Sequence, residues 1–374
     1  RYFPDADGPT VGLRACLFTN TPDEHFVLDR HPAHPRVVLA SPCSGHGFKF
    51  AAVIGGKKAP EYSMAHDLTV QENLDFYAGI LGMRLVKKSV NQDDPGTYHL
   101  FYADAEGRPG TDLTFFPWAH MPKGQKGIGL AVEIALAVPE GSLGFWEERL
   151  RKYGVATGGY EARFGEKTLK FVDVHGLEAA LVETSNRQFT PWEKSPVPPQ
   201  YQIRGLDSAR LWERELAPTQ SFLTGVMGFK YIGRENNWHR FALGGGGSGK
   251  TLDLQELPDT RRGRWGVGSI HHLAWRVEDE AHQRAVRERV EAAGRRTTDV
   301  IDRFWFKSVY FNEPGGGLFE LATDGPGFSV DEDPKHLGET LVLPPWLEQR
   351  RQQIELVLPP LQFSDKFPLS PGGG

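Results

Sequence analysis

Cysteine is nearly absent: Cys16 and Cys43 are the two in 374 residues. They cannot form a disulfide framework, which fits a reducing compartment, so a cytoplasmic protein is expected. Positive charge is not in excess. Lys and Arg number 43 against 48 Asp and Glu, a net charge of −5, which leaves no basic footprint for nucleic acid. No apolar run approaches the roughly 20 residues that span a bilayer, so no membrane partner is expected. RYFPDADGPT at the start lacks the basic-then-apolar pattern of a signal peptide. No GxGxxG follows a strand near the start, so the helix N-terminus that would hold a dinucleotide pyrophosphate is missing. The one dense glycine run, GGGGSGK at 244–250, sits between strand patterns with no helix after it and reads as a hairpin loop. Glycine (43) and proline (27) are plentiful and predict many turns in a β-rich chain. Hydrophobic residues at 39%, with 11% aromatics, suffice for sizeable cores, and the length suggests two or three compact units.

From residue 57 to 330 the chain repeats a pattern about every 65 residues, in element order and not in identity. Each copy reads as a strand, an amphipathic helix and two or three strands. The helix patterns are QENLDFYAGILGM, SLGFWEERLRKYG, PTQSFLTGVMG and AHQRAVRERVEAAG. Leu74, Tyr77 and Leu81 of the first fall on one face. Gly82, Gly154, Gly228 and Gly294 stand where left-handed C-caps are expected. The fold class predicted is α+β: four βαβββ modules forming paired cupped sheets, each leaving a cleft inside and helices outside. The domains expected are a fragment at 1–56, a first pair at 57–190, a second at 201–330 and a tail at 331–374, with a Pro-rich linker at 186–200.

At LDFYAGILGMRLVKKSVNQDDPGTYHLFYADAEGRPGTDLTFFPW, ARFGEKTLKF, HHLAWRVEDE and GGGLFELATDGPGF, residues 68–360 resemble the vicinal oxygen chelate (glyoxalase-like) superfamily. More narrowly they look like its hydroquinone ring-cleaving dioxygenase branch. That resemblance implies one mononuclear Fe(II), with Mn(II) the alternative, and O2 as co-substrate with a small aromatic. It implies His272 and Glu320 as metal ligands. It implies Arg303 and Tyr310, with His271 beside the ligand, as residues that hold substrate and stabilise charge. The chemistry is coherent: two histidines and one carboxylate leave open positions on iron for substrate and O2. A hydroquinone, whose hydroxyls are para, can offer iron one oxygen, so its far hydroxyl needs a protein partner. His239 and His99 are further pocket candidates, each weighed against an ordinary strand histidine. The run FWF at 304–306 could stack on an aromatic ligand.

The family's third ligand is a histidine in an HH pair nine residues before the glutamine matching Gln71. Here that position is Tyr62, within KKAPEYSMAHDLTVQ. Either four residues are deleted and His66 takes the ligand's place, or the strand is replaced and the ligand lost. Positions 62 and 66 point to the same side of a strand, but reaching the metal from 66 needs a slide of roughly 13 Å. A second departure is Asp207, where relatives tend to have histidine; a turn or cap role is expected.

Residues 11–56 resemble something else, the C-terminal end of monomeric sarcosine oxidase flavoenzymes, at CLFTNTPDEHF, DRHP and SGHGFKF. That resemblance implies Cys16 at a covalent flavin position, Lys49 at a substrate carboxylate and His46 near the flavin. Phe18 departs from the phenol common there. About 50 residues cannot build a flavin site alone, so FAD is not expected and the segment reads as a fusion relic. The leading function is a ring-cleaving extradiol-type dioxygenase opening hydroquinone-like aromatics in phenol catabolism. The alternatives are a metal-free glyoxalase-like protein binding an aromatic or quinone, and a remnant of a flavin-dependent amine oxidase. Oligomeric state is left open, a homo-oligomer included.

Overall fold

The structure, a computed structural model, describes the strand segments 27–31 and 34–41 and residues 70–118, 121–185 and 188–367. The Cα positions separate into two compact units, Arg1–Ala65 and His66–Gly374. In the first, β1 (Val27–His31) and β2 (His34–Ser41) form an antiparallel hairpin with Val27 opposite Ser41. Cys16, Phe18, Cys43, His46, Lys49, Tyr62 and His66 lie outside the described residues.

The second unit carries the repeat. Its first module has a helix over 70–80, then β3 (Arg84–Asn91), β4 (Asp94–Ala103) and β5 (Leu113–Phe115). The second has β6 (Ala131–Pro139), α1 (Leu143–Lys152), β7 (Thr157–Arg163), β8 (Glu166–Val172) and β9 (Glu178–Thr184). The third has β10 (Leu206–Glu213), α2 (Leu216–Gly225), β11 (Lys230–Glu235), β12 (Trp238–Ala242) and β13 (Thr251–Glu256). The fourth has β14 (Leu273–Val277), α3 (Glu280–Ala292), β15 (Ile301–Asp302), β16 (Lys307–Asn312) and β17 (Leu318–Thr323). The four glycines after the helices take φ of +70°, +71°, +81° and +79°, a conformation open to residues without a Cβ.

Neighbouring modules share cores. Leu74, Tyr77 and Leu81 pack with Ile134, Trp146 and Leu181 of the second module. Phe222 and Leu254 pack with Val290 and Phe319 of the fourth. Strand pairing groups the modules differently. An eight-stranded sheet in the order β11-β12-β13-β10-β6-β9-β8-β7 joins the second module to the third. At its centre β6 and β10 run antiparallel, with Glu133 opposite Arg210. The reading of neighbours as paired sheets therefore does not describe the hydrogen bonding, although it describes the cores. The first and fourth modules form sheets of their own, β3-β4-β5 and β14-β17-β16-β15. These face each other through Phe101, whose ring lies 6.4 Å from Trp305 and 6.3 Å from Phe306. There are thus two cups: one from the first and fourth modules, one from the second and third.

The first helix contains a π turn, Asp75–Ile80, in which the Leu81 amide donates to the Phe76 carbonyl. Widening frees carbonyls, and here Arg149 takes them: its Nε donates to Ile80 at 2.6 Å and Nη2 to Gly79 at 2.9 Å. The chain after 330 is a strap packed on the first module. Lys87, fully buried, pairs with Asp331 and Glu332. Arg84 donates to the carbonyls of Pro334 and Lys335. Leu343, Leu347 and Ile354 bury against Val90, the last from α4 (Arg351–Val357). Among the described residues no helix is long and apolar enough to cross a membrane.

Candidate metal centre

The sequence LFEL at 318–321 alternates because β17 has two faces. Phe319 and Leu321 point into the core with Val309 and Phe311 of β16. Glu320 points the other way, into the first cup. Register places it beside two neighbours: Ala274 of β14 on one side and Tyr310 of β16 on the other. Two residues before Ala274 stands His272. Its Nε2 lies 2.8 Å from Glu320 Oε2. The Ser308 hydroxyl donates to the other carboxylate oxygen, Oε1, in a short bond. Ser308 and Tyr310, two apart on β16, share that face.

His272 is oriented from behind. Its Nδ1 is 2.7 Å from Nδ1 of His271, so Nε2 is the nitrogen left to face Glu320. The Tyr310 ring stands 5.6 Å from the His272 ring, edge-on. The Arg303 guanidinium lies 5.9 Å from the Tyr310 ring and pairs with Asp93 at 3.1 Å. Its carbonyl accepts from Gln92 at 2.9 Å. The β3–β4 turn of the first module thus holds the arginine of the fourth. His271 sits among rings: Trp265 at 4.7 Å, Phe116 at 6.1 Å and Trp118 at 6.5 Å.

Electrostatics suits a carboxylate donor. Burial pushes Glu320 up, but His272, Ser308 and Tyr310 together outweigh it and hold the carboxyl below its ordinary range. Burial and then the Glu320 charge push the Tyr310 phenol well up, so it keeps its proton. His271 is held down to about 4, by burial first and then by His272.

His272, Glu320, Tyr310, Arg303 and His271 therefore come together. His66 lies outside the described residues. His239 does not join them: it is on β12, where Tyr231 meets its Nδ1 at 3.2 Å on an exposed face. Of the FWF run, Trp305 is core, 1% exposed, with its Nε1 donating to Asp331. It offers no stacking face, because the strap covers it. Asp207 is neither turn nor cap; it is buried within β10. Sequence reasoning missed Ser308, Asp93 and Gln92. Alternation from Tyr310 pointed to Ser308; nothing local pointed to the turn that holds Arg303.

Whether these residues fit a metal can be tested on their spacing. Donors bonded at ~2.1 Å on adjacent positions of one ion lie about 3 Å apart. The His272–Glu320 separation of 2.8 Å matches, and imidazole with carboxylate is the donor chemistry of non-haem iron. Among the described residues no group of three or more His, Cys, Asp or Glu converges; His272 and Glu320 are a pair of candidate donors.

Residues 205–321 match the family model of the Glyoxalase/Bleomycin resistance protein/Dioxygenase superfamily. MhqO of Bacillus subtilis (strain 168), provisionally named a ring-cleaving dioxygenase, is 42% identical over 295 residues, 79% of this chain and 94% of MhqO. The chlorohydroquinone/hydroquinone 1,2-dioxygenase of Sphingobium indicum is 35% identical over 303 residues, 77% of this chain and 94% of that enzyme. A crystal structure of a dioxygenase from Bacillus subtilis, also provisionally named, superposes with a TM-score of 0.74 at 41% identity, covering 78% of this chain and 93% of that one. A separate 56-residue stretch is 54% identical to the monomeric sarcosine oxidase of Streptomyces avermitilis but spans 15% of that enzyme. With 42% and 35% identity to dioxygenases over 94% of their lengths, and an α+β fold of curled sheets that superposes on a dioxygenase structure, the chain belongs to the glyoxalase/bleomycin resistance protein/dioxygenase superfamily.

Proposed function

We propose that the chain is a ring-cleaving dioxygenase acting on hydroquinone-like aromatics with O2. The observation that carries this is the convergence of His272 Nε2 and Glu320 Oε2, 2.8 Å apart, beside Tyr310 and Arg303. The names of relatives at 35% and 42% identity support it. Fe(II), with Mn(II) the alternative, would be held by His272 and Glu320; His66 is our candidate for the third donor. When bound, the metal would supply the means to bring O2 and an electron-rich ring oxygen together. The protein's own part follows from the geometry. Ser308 fixes the carboxylate and His271 fixes the imidazole, so neither ligand turns away. Tyr310, which keeps its proton, can donate to a phenolic oxygen at the ligand pair. Arg303, held by Asp93, carries fixed positive charge towards the cup and can stabilise negative charge growing on the substrate.

The test is anaerobic Fe(II) titration of the full chain followed by O2 uptake with hydroquinone. One tight site and hydroquinone-dependent uptake are expected. Glu320→Ala should lose both, and uptake retained in that variant would overturn the assignment. His66→Ala should weaken iron binding; unchanged affinity would send the search for the third donor elsewhere. The rings of Trp265, Trp118 and Phe116 around His271 favour a second reading, a metal-free binder of aromatics or quinones. Equal quinone affinity with and without metal would favour it.

A further inference from the structure

β3 and β4 pair with Ser89 opposite His99 and Lys87 opposite Phe101. Opposed residues share a face, and this face is the one that meets the fourth module. Lys87 Nζ lies 5.2 Å from the Trp305 ring centre, and Phe101 touches the same tryptophan. Ser89 and His99 are therefore side by side on the wall of the first cup opposite the ligand pair. Ser89 Oγ and His99 Nε2 are both buried, and neither has a hydrogen-bond partner among the described residues. Adjacent orphaned polar atoms on a buried sheet face are costly unless something polar meets them.

The His99 ring is fixed. Its centre lies 3.9 Å from that of Phe101 and 4.1 Å from that of Phe116, the planes tilted by 35° and 34°, and Phe116 in turn approaches His271. His99 also lies within the field of His272, Arg303 and His271; burial first, then these charges, hold it well below its ordinary value. It is an imidazole with one donor and one acceptor nitrogen.

We propose that Ser89 and His99 form the far end of the substrate site, where they bind the second hydroxyl of a para-dihydroxybenzene. This rests on the ring-cleaving reading and assigns it a specificity device. A hydroxyl both donates and accepts, which matches a serine hydroxyl and a neutral imidazole placed together. A ring that lacks a para hydroxyl leaves both groups unmet, and sites built this way discriminate strongly. His99 and Ser89 act by positioning and selection; no bond is made or broken at them.

The test uses the full chain and two probes, hydroquinone and phenol, bound without O2. Quenching of protein tryptophan, with Trp118 and Trp265 beside His271, reads affinity with and without Fe(II). Wild type should bind hydroquinone at least ~10-fold tighter than phenol. His99→Leu should bring hydroquinone down to the affinity of phenol and leave phenol unchanged. Ser89→Ala should move the ratio part of the way, and His99→Gln should restore part of it. Thermal unfolding checks that each variant folds; should His99→Leu not fold, Ser89→Ala decides. A hydroquinone-to-phenol ratio unchanged in the folded variants would overturn the proposal, and so would equal weakening of both probes, the mark of a water-filled structural niche. The two readings fail separately. Wild type that keeps the ratio but consumes no O2 with hydroquinone loses the reaction and keeps the subsite. O2 uptake with an unchanged ratio in the variants does the reverse.

Discussion

Glu320 and Asp253 hold the same place in two copies of one module. Each lies mid-way along the last strand. Each is opposite the first strand on one side, at Ala274 and Arg210, and opposite its hairpin partner on the other, at Tyr310 and Arg240. What surrounds them differs. Glu320 meets an imidazole, a hydroxyl and a phenol, none with a fixed charge. Asp253 meets guanidinium: Arg240 donates to both its oxygens, at 2.8 and 3.0 Å, and Arg210 is 3.7 Å away. The second cup extends this pattern. Arg163 pairs with Glu133, and Arg240 reaches Glu166 at 2.7 Å. Phe164 lies over Arg240 at 4.2 Å and Trp238 over Arg210 at 4.4 Å. A cavity of about 70 Å³ remains, lined in part by Glu161, Arg163, Phe164, Arg210 and Trp238. A carboxylate clasped by a bidentate guanidinium has its charge balanced by a fixed cation and one lone pair on each oxygen taken, which disfavours a metal there. One backbone frame therefore carries the candidate ligand Glu320 in the first cup and a buried ion pair in the second, and the two differ in the residue opposite the carboxylate, Tyr310 or Arg240.

The largest effect that separates the cups should come from Asp253→Ala. Removing one partner of a buried pair costs about 3–5 kcal/mol, read as a fall in denaturation midpoint, with O2 uptake per folded molecule unchanged. A further replacement sharpens this: Arg240→Met with Asp253→Leu should recover most of the loss, because no charge is left unpaired. A loss of uptake in folded Asp253→Ala would break the division of labour. Next comes Tyr310→Phe, which deletes the phenol beside Glu320 and should lower kcat by about 100-fold at unchanged stability. Ser308→Ala should weaken Fe(II) binding by roughly tenfold, seen by titration, since it frees the carboxylate to turn.

A further effect, seen only as pH changes, lies where the third module meets the fourth. Glu213, at the end of β10, is fully buried, and neither carboxylate oxygen has a partner within hydrogen-bond distance among the described residues. Its neighbour Glu313 takes the amides of Gly315 and Gly317 and the Thr219 hydroxyl. Burial first, then the Glu313 charge, push Glu213 up to about 9. A folded value above the unfolded one stabilises below the unfolded pKa, and that contribution is lost as pH rises through the folded one. The chain should therefore lose stability between about pH 4.3 and 9. Glu213→Gln should flatten this dependence, with a midpoint above wild type at pH 9 and little difference at pH 4. Equal shifts at both pH values would show that Glu213 does not hold a proton when folded.

Much of this architecture was legible in the sequence. Helix periodicity and terminal glycines placed the modules, the family resemblance at LFEL and HHLAWRV pointed to Glu320 and His272, and strand alternation, which is local, told which face Glu320 takes. The partnering of sheets was not legible, since it depends on which edges are free after each module closes. Nor was the hold on Arg303, which comes from Gln92 and Asp93, more than 200 residues earlier. His99 was visible as a candidate, but only the register with Ser89 and the rings on either side distinguish it from an ordinary strand histidine. Trp305 read as a stacking surface because the strap that covers it gives no local signal.

That strap also sets an order of events in synthesis. The first module leaves the ribosome early, yet Lys87 meets its carboxylates, and Arg84 all but one of its carbonyl partners, only after residue 330, some 240 to 250 residues later. At about 5–20 residues per second that is on the order of 10–50 s of waiting. During this time Lys87 has no counter-charge and Val90 no leucines to cover it. A nascent first module is thus a natural client for a chaperone, and it is covered by a segment made only after all four modules.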